Sequence, residues 1–307
     1  MNFKFDVIYK KLLSSTTRKK TEQFFLVIAI LSFIIHLAII SLVYFDVISL
    51  NKTSNLFKSP ISAIYTPFSF ILIYEVYLLI YYLPQSLTIY INKQYEIILL
   101  IIMRRLFKDL ANLKISADWF SIKYDLQFTY DILTTLLLFF LIYLFYKQSK
   151  KRFTIKETDE SILEGTLRYT KIKKIIASLL VPVVLVLAVY SFTNWISETI
   201  FEFENSGELF QNINNIFFEQ FFTVLVIVDV ILLLVSFFYT DKFHLIIRNS
   251  GFIVSTILIR LSFSVEGLMN NLLVVIAVLF GLTILIIYNK FEQNISLEKP
   301  VNKIDVR

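Results

Sequence analysis

The sequence predicts an all-α integral membrane protein of about eight transmembrane helices, built as two tandem, parallel four-helix repeats. Three observations lead there. Of 307 residues, 57% are hydrophobic and the mean hydropathy is +0.70, more apolar surface than one soluble core of this size can hide. The apolarity comes in runs of about 20 residues separated by charged stretches, the length at which a helix crosses a bilayer, and the ten-residue alternation of a membrane β-barrel is not seen. Finally, the polar positions of the first half recur in the second at nearly constant spacing.

The first 22 residues are polar and basic. Phe5, Ile8 and Leu12 recur at helical spacing beside Lys4, Lys10 and Lys11, which fits either a short helix on the inner membrane surface or a frayed basic tail. No small-residue cleavage pattern follows, so no removable signal peptide is expected. The first apolar run covers 24–45 and the second 64–83, closed by Pro84. A third, 87–106, carries Asn92, Lys93, Gln94 and Glu96 in its first half and ends in Arg104 and Arg105, so it either spans or is re-entrant or interfacial. The remaining runs are 128–146, 175–195, 217–238, 243–263 with polar interruptions, and 268–288.

Charge orients these runs. The N-terminal tail, residues 147–174 and the C-terminal tail hold about 19 of the 30 Lys and Arg residues. Eight spans place all three on one side, the cytoplasmic side of a plasma or inner membrane, with both termini inside. The stretch with Glu198, Glu202, Glu204 and Glu208 lacks Lys and Arg, as an outside loop can, and Trp119 and Trp195 fall near expected outer boundaries. The slightly basic loop 104–127 runs against this orientation. The expected organisation is therefore a first repeat with its basic tail (1–146), a charged cytoplasmic linker (147–174) and a second repeat with a short C-terminal tail (175–307).

The duplication rests on polar residues, because apolar helices resemble one another by composition alone. Aligning Tyr74 with Val228 sets Glu75 against Asp229, a spacing of 154 residues, and the same spacing sets Lys20 against Lys174. With two residues inserted at the following turn, Asn92 meets Arg248, Lys93 meets Asn249 and Arg104 meets Arg260. Units with an even number of spans insert in the same orientation, which makes the repeat parallel.

An ionisable group at mid-bilayer costs roughly 2.5–3.5 kcal/mol on insertion scales, so it implies a partner or a water-filled cavity. Glu75 and Asp229 are such groups. Each precedes a tight turn, with Lys93 or Arg248 about seven residues beyond it, so a long basic side chain can close the remaining ~6 Å of depth at 1.5 Å per helical residue. Glu75 with Lys93, and Asp229 with Arg248, are thus expected to line a pathway for protons or cations, or else to fix helix register as buried ion pairs. Lys93 and Glu96, three apart, can instead pair locally. Arg104, Arg105 and Arg260 are expected to snorkel to headgroups, His36 to pack between helices, His244 to meet water, and Asp131 to cap a helix start.

A membrane-embedded acid on one helix with basic residues on a later one resembles four-helix voltage-sensing domains. The fourth and eighth runs hold no arginine, however, so the arginine ladder of that family has no counterpart and its mechanism is not carried over.

Other chemistry is narrowed by residue type. Without cysteine there are no disulfides, thiolate nucleophiles or cysteine-held metals, and the two histidines differ in depth by roughly 15 Å at 1.5 Å per residue, so no haem or metal site and no cofactor is expected. Basic residues cluster at span ends, which positive-inside topology explains without nucleic acid. Phosphate-binding loops, nucleophile elbows and nucleotide-binding modules are missing from the sequence. The leading expectation is a non-enzymatic, multi-pass protein moving protons or small cations. Its alternatives are a non-transporting subunit or scaffold contacting anionic headgroups, protein partners or its own copies, and an intramembrane lipid-modifying enzyme using Asp131, Asp125, Lys123, Asn270 and Asn271.

Overall fold

The computed structural model describes residues 2–45, 60–110, 123–151, 160–201, 206–265 and 267–298, without side-chain detail for 2–6, 61, 62, 65, 108, 123, 124, 160–164, 188, 191–201, 206–219 and 296–298. These residues form nine helices and no strand: α1 (Asn2–Leu12), α2 (Ser15–Tyr44), α3 (Tyr65–Tyr82, after a 3₁₀ turn Pro60–Ile64), α4 (Leu87–Leu110), α5 (Lys123–Ser149), α6 (Glu160–Phe201), α7 (Ser206–Phe237), α8 (Phe243–Ser262) and α9 (Leu268–Glu298). The eight apolar runs fall in order on α2 to α9. In hydrocarbon a backbone has no water to bond, so an apolar run satisfies its own N–H and C=O groups as helix.

Five stretches are long and apolar enough to cross a membrane: Val7–Tyr44, Asp125–Ser149, Gln220–Phe237, Phe243–Ser262 and Leu268–Ile295; Thr66–Tyr82 is apolar but shorter. The chain is a multi-pass helical membrane protein. α4 is not among the five, because Asn92 to Glu96 and the arginine pair at 104 and 105 dilute its apolar character. The outer faces agree with a lipid environment. Val27 and Ile34 on α2, Leu136 and Phe140 on α5, Leu185 and Val189 on α6 and Ile227 on α7 are all exposed, while Leu79, Ile91, Phe145, Phe252 and Val278 form part of the buried core.

Helix ends have local causes. Ser14 caps α2, its Oγ accepting from the Thr17 N–H at 3.1 Å. Pro84 sits in the turn that closes α3, where the Gln85 N–H reaches the Tyr82 carbonyl at 3.0 Å. Between α8 and α9 the chain turns at Gly267 with φ +70°, a left-handed conformation that a Cβ disfavours.

The basic segments are helical as well. The N-terminal segment is a short helix, as one of its two readings expected, and not a frayed tail, and it packs on α6. Leu13 is 2% exposed at the α1–α2 corner, and the Tyr77 hydroxyl donates to the Leu12 carbonyl at 3.0 Å. α5 runs to Ser149 and α6 starts at Glu160, so residues 160–174 of the expected linker are helical, with Glu160 and Glu164 at the N-terminal end of α6, where the helix dipole favours acids.

Helices adjacent in the chain pack as hairpins from α2 through α5 and again from α6 through α9. Across the two halves α5 packs along α9, and α4 touches α8. Asn271 Nδ2 donates to Asp131 Oδ1 at 2.6 Å near the starts of α9 and α5, and Asn289 Nδ2 donates to the Gln148 carbonyl at 3.0 Å near their ends. The residue offsets, 140 and 141, are almost equal, so α5 and α9 run parallel.

At the end of the bundle that holds the α3–α4 turn, cations lie over tyrosine rings: Arg18 over Tyr81 at 5.2 Å, Lys93 over Tyr82 at 5.2 Å, Lys173 over Tyr169 at 4.9 Å and Lys174 over Tyr9 at 5.4 Å. Amphipathic rings and basic heads at one level suit a membrane boundary.

Candidate functional site

Asp229 lies on α7, eight residues before its end, and is 1% exposed. Gln94 Nε2 on α4 donates to its Oδ2 at 3.0 Å. One turn earlier on the same face of α4, the Tyr90 hydroxyl faces the carboxylate closely enough to act on it as a hydrogen-bond partner, though outside strict hydrogen-bond geometry, and neither Tyr90 Oη nor Asp229 Oδ1 has a well-formed bond to any other described residue. Buried polar atoms held this loosely are costly, and native structures hold few of them. No basic side chain touches the acid among the described residues. Lys173, on α6 and 4% exposed, acts on it at longer range while its Nζ donates to the Gln85 carbonyl at 2.6 Å. Lys173 stands two residues before the apolar run 175–195. Burial pushes its ammonium down to about 8, with nearby Arg248 adding to the effect and Asp229 opposing it.

The expected pairing of Asp229 with Arg248 is not formed. The side chain of Arg248 turns towards α9, its guanidinium 4.4 Å from the Tyr288 ring centre and its Nη2 donating to Asn249 Oδ1 at 2.9 Å, with Glu292 nearby. Glu292 in turn meets His244 at 2.8 Å, and the His244 ring lies beside Tyr288 and Phe291. His244 is therefore engaged in the α8–α9 contact instead of simply meeting water; the long α9, which continues to Glu298, brings Glu292 level with the first turn of α8.

Glu75 on α3 is partly buried. The charged side chains that act on it are Lys93 and Glu96 of α4 and Glu22 of α2. Lys93 makes its direct ion pair with Glu96, three residues along the same helix, and Glu96 also accepts from Asn92 Nδ2 at 2.7 Å. The local pairing thus takes the contact, and Glu75 stands beside it. The two acids flank the same stretch of α4: Glu75 on the side of Lys93 and Glu96, Asp229 on the side of Tyr90 and Gln94.

Farther along α4 lies a second polar cluster. Asp131, expected at a helix start, is in the third turn of α5 because that helix begins at Lys123, and it is 0% exposed. Arg105 binds it with both Nε and Nη2, and Gln127 Nε2 at 2.7 Å and Asn271 Nδ2 at 2.6 Å complete its shell. Arg105 also donates to Asn270 Oδ1 at 2.9 Å and to Asn271 Oδ1, while Asn270 Nδ2 donates to the Ser262 carbonyl at 2.6 Å. Arg105, its side chain 30% exposed, is thus a clasp joining α4, α5 and α9 over the buried Asp131 instead of a snorkelling side chain. Arg104 is 7% exposed, and Arg260 reaches Thr223 Oγ1 on α7 at 3.2 Å, so neither simply points to headgroups. Asp125 is also buried, at 1% exposure.

Between the clusters, Tyr95 Oη meets Ser255 Oγ at 2.7 Å, and Ser255 donates to the Ala277 carbonyl at 2.6 Å. Because the serine has one proton to give, Tyr95 is the donor in the first bond. A Cβ at Gly281 would stand 1.9 Å from Tyr95 Oη, so only glycine lets α9 come this close. His36 meets Thr66 across α2 and α3, a helix-packing contact as expected.

Sequence reasoning missed Tyr90, Gln94 and Lys173. The first two carried a readable signal, polar residues four apart inside an apolar run, whereas Lys173 was hidden in a basic cluster assigned to the linker. The acidic residues Glu202 and Glu204 and Trp119 lie outside the described residues, and the side chains of Trp195, Glu198 and Glu208 are likewise not described. No family model matches the chain, and no curated protein or solved structure is found to be similar to it.

Proposed function

We propose that this chain moves protons or small cations across a plasma or inner membrane, with Asp229 as the ion-binding group and both termini in the cytoplasm. The observation that carries the reading is the loose contact between the Asp229 carboxylate and the Tyr90 hydroxyl, which make no well-formed bond with each other and face no ion-pair partner among the described residues. A hydroxyl can donate or accept. Tyr90 can therefore donate to an ionised Asp229 and accept from a protonated one, so both charge states find a partner by rotation of one O–H bond. A buried acid whose surroundings suit two protonation states is suited to binding and releasing a proton, whereas an acid locked by several donors, as at Asp131, is suited to staying ionised. Glu75, with Lys93 and Glu96, supplies a second polar face on an adjoining side of α4, and Arg248 on α8 lies near enough to act on Lys173.

Two further parts belong to the proposal. The chain is read as eight spans in two parallel repeats, α2–α5 and α6–α9, supported by the matching order of hairpins and by the parallel run of the corresponding helices α5 and α9. The end bearing Lys and Arg over tyrosine rings is read as the cytoplasmic face against anionic headgroups. A second reading, a scaffold without transport, is favoured by the fully paired Arg105–Asp131 cluster, in which charge joins three helices and is left with no vacant partner position at Asp131.

Purified protein in liposomes with an imposed pH or potassium gradient tests the reading. Wild type should dissipate the gradient, Asp229→Asn should stop it while keeping its melting temperature, and Glu75→Gln should slow it. Silence of the wild type to protons and common cations would reject transport in favour of the scaffold.

A further inference from the structure

The proposed reading leaves the ion open between a proton and a metal cation, and the surroundings of Lys173 bear on that choice. A buried carboxylate that binds an alkali cation needs several oxygen ligands converging on one point and no fixed positive charge close by. Around Asp229 the described polar groups are the Gln94 amide nitrogen, which is a donor, and the Tyr90 hydroxyl. Two positive groups, Lys173 and Arg248, flank the site and act on each other. Arg248 is engaged with Asn249, Tyr288 and Glu292 on the α8–α9 side. Lys173 is the one of the two with no acidic partner in contact among the described residues, its ammonium resting on neutral acceptors.

Those acceptors matter. The Lys173 ammonium donates to the Gln85 carbonyl at 2.6 Å and lies 4.9 Å from the centre of the Tyr169 ring. Carbonyl and ring face hold a cation without carrying charge, so they keep the ammonium in place whether Asp229 is ionised or neutral. The Tyr169 hydroxyl is itself fixed by donation to the Leu232 carbonyl on α7 at 3.1 Å, three residues from Asp229, which ties the lysine's resting place to the helix that bears the acid.

We infer that Lys173 is the built-in counter-cation of the Asp229 site, supplying the positive charge that an alkali cation would otherwise bring and so reserving the acid for protons. When Asp229 is ionised, Lys173 balances it from α6; when Asp229 takes a proton, Lys173 remains on Gln85 and Tyr169. This rests on Asp229 being the ion-binding group.

Replacing Lys173 by Met removes the charge at similar length. In detergent, titrating sodium or potassium chloride against choline chloride should leave the wild-type melting temperature unchanged at equal ionic strength, raise that of Lys173→Met, and leave that of Lys173→Met/Asp229→Asn unchanged. In liposomes, Lys173→Met should show proton flux inhibited at least several-fold by sodium or potassium, with wild type unaffected. If Lys173→Met fails to fold, the double variant should restore folding, because it removes the acid left uncompensated. Cation-insensitive melting and flux in Lys173→Met, or a double variant no better folded than the single, would overturn the inference. Loss of flux in Asp229→Asn with cation-insensitive Lys173→Met would reject the lysine's role and keep the acid's; cation-induced stabilisation of Lys173→Met without any flux would support the lysine's role and reject transport.

Discussion

A carboxylate offers about four lone-pair sites, and at Asp229 one oxygen is met by a single amide while the other makes no well-formed hydrogen bond among the described residues, with only the loosely placed Tyr90 hydroxyl facing the group. Asp131 presents the opposite case, with Arg105, Gln127 and Asn271 all donating to it. The same side chain type, equally buried, is thus held in two ways that suit two tasks. Tyr90→Phe is expected to retain the fold and slow proton flux, since it removes the one group able to serve both protonation states; unchanged flux would show the hydroxyl to be idle. At Gly281 the constraint is steric. Gly281→Ala should cost about 1–3 kcal/mol by overpacking against Tyr95, read as a lower melting temperature, and Tyr95→Phe in the same chain should recover part of the loss because the atom 1.9 Å away is removed. Asp229 and Asp131 were visible in the sequence, and Tyr90 had a signal in its spacing from Gln94, but Gly281 and Tyr95 did not stand out. A glycine or tyrosine in an apolar run reads as ordinary helix, and only the third dimension shows that Tyr95 meets Ser255 160 residues away.

At the level of elements, α4 organises the site. Its opening turns place Tyr90 and Gln94 towards α7 and Lys93 and Glu96 towards α3, and eleven residues beyond Gln94, about 16 Å at 1.5 Å per residue, Arg105 reaches α5 and α9. The helices themselves were legible, each apolar run coinciding with one helix, because hydrocarbon leaves a backbone few other solutions. Their polar partners were less so. Sequence spacing suggested pairs within each hairpin, but the structure draws Asp229 to α4 and Arg248 to α9, choices made by packing across the chain rather than along it. The Arg105–Asp131 pair had a signal, opposite charges at the same expected boundary, that the more usual fates of such residues obscured. Asp131→Asn is expected to destabilise by about 1–3 kcal/mol, because it leaves donors facing a neutral amide while the partly exposed Arg105 keeps access to water, whereas Arg105→Met with Asp131→Leu should be milder than either single change. Thermal melting in detergent decides it, and a harmless Asp131→Asn would show the clasp to be dispensable.

For the whole molecule, the apolar exterior and the five long apolar helices make a multi-pass membrane protein. Its handedness in the membrane follows, in our reading, from the basic residues gathered over tyrosine rings at one end. Reporter fusions should place both termini on the cytoplasmic side, and a C-terminus found outside would break the eight-span count and the parallel repeat together. The linker illustrates what charge alone misses: residues from 160 to 174 read as a polar connection, yet they form the opening of α6 and carry Lys173 to the buried acid. The central claim is that Asp229 binds and releases a proton. Infrared difference spectroscopy of the purified protein, taken across a pH titration, observes that event directly as the carbonyl stretch of a protonated, buried carboxyl. The account predicts a reversible band that is absent in Asp229→Asn and shifted in frequency in Tyr90→Phe; a spectrum in which Asp229→Asn leaves every carboxyl band unchanged would contradict it.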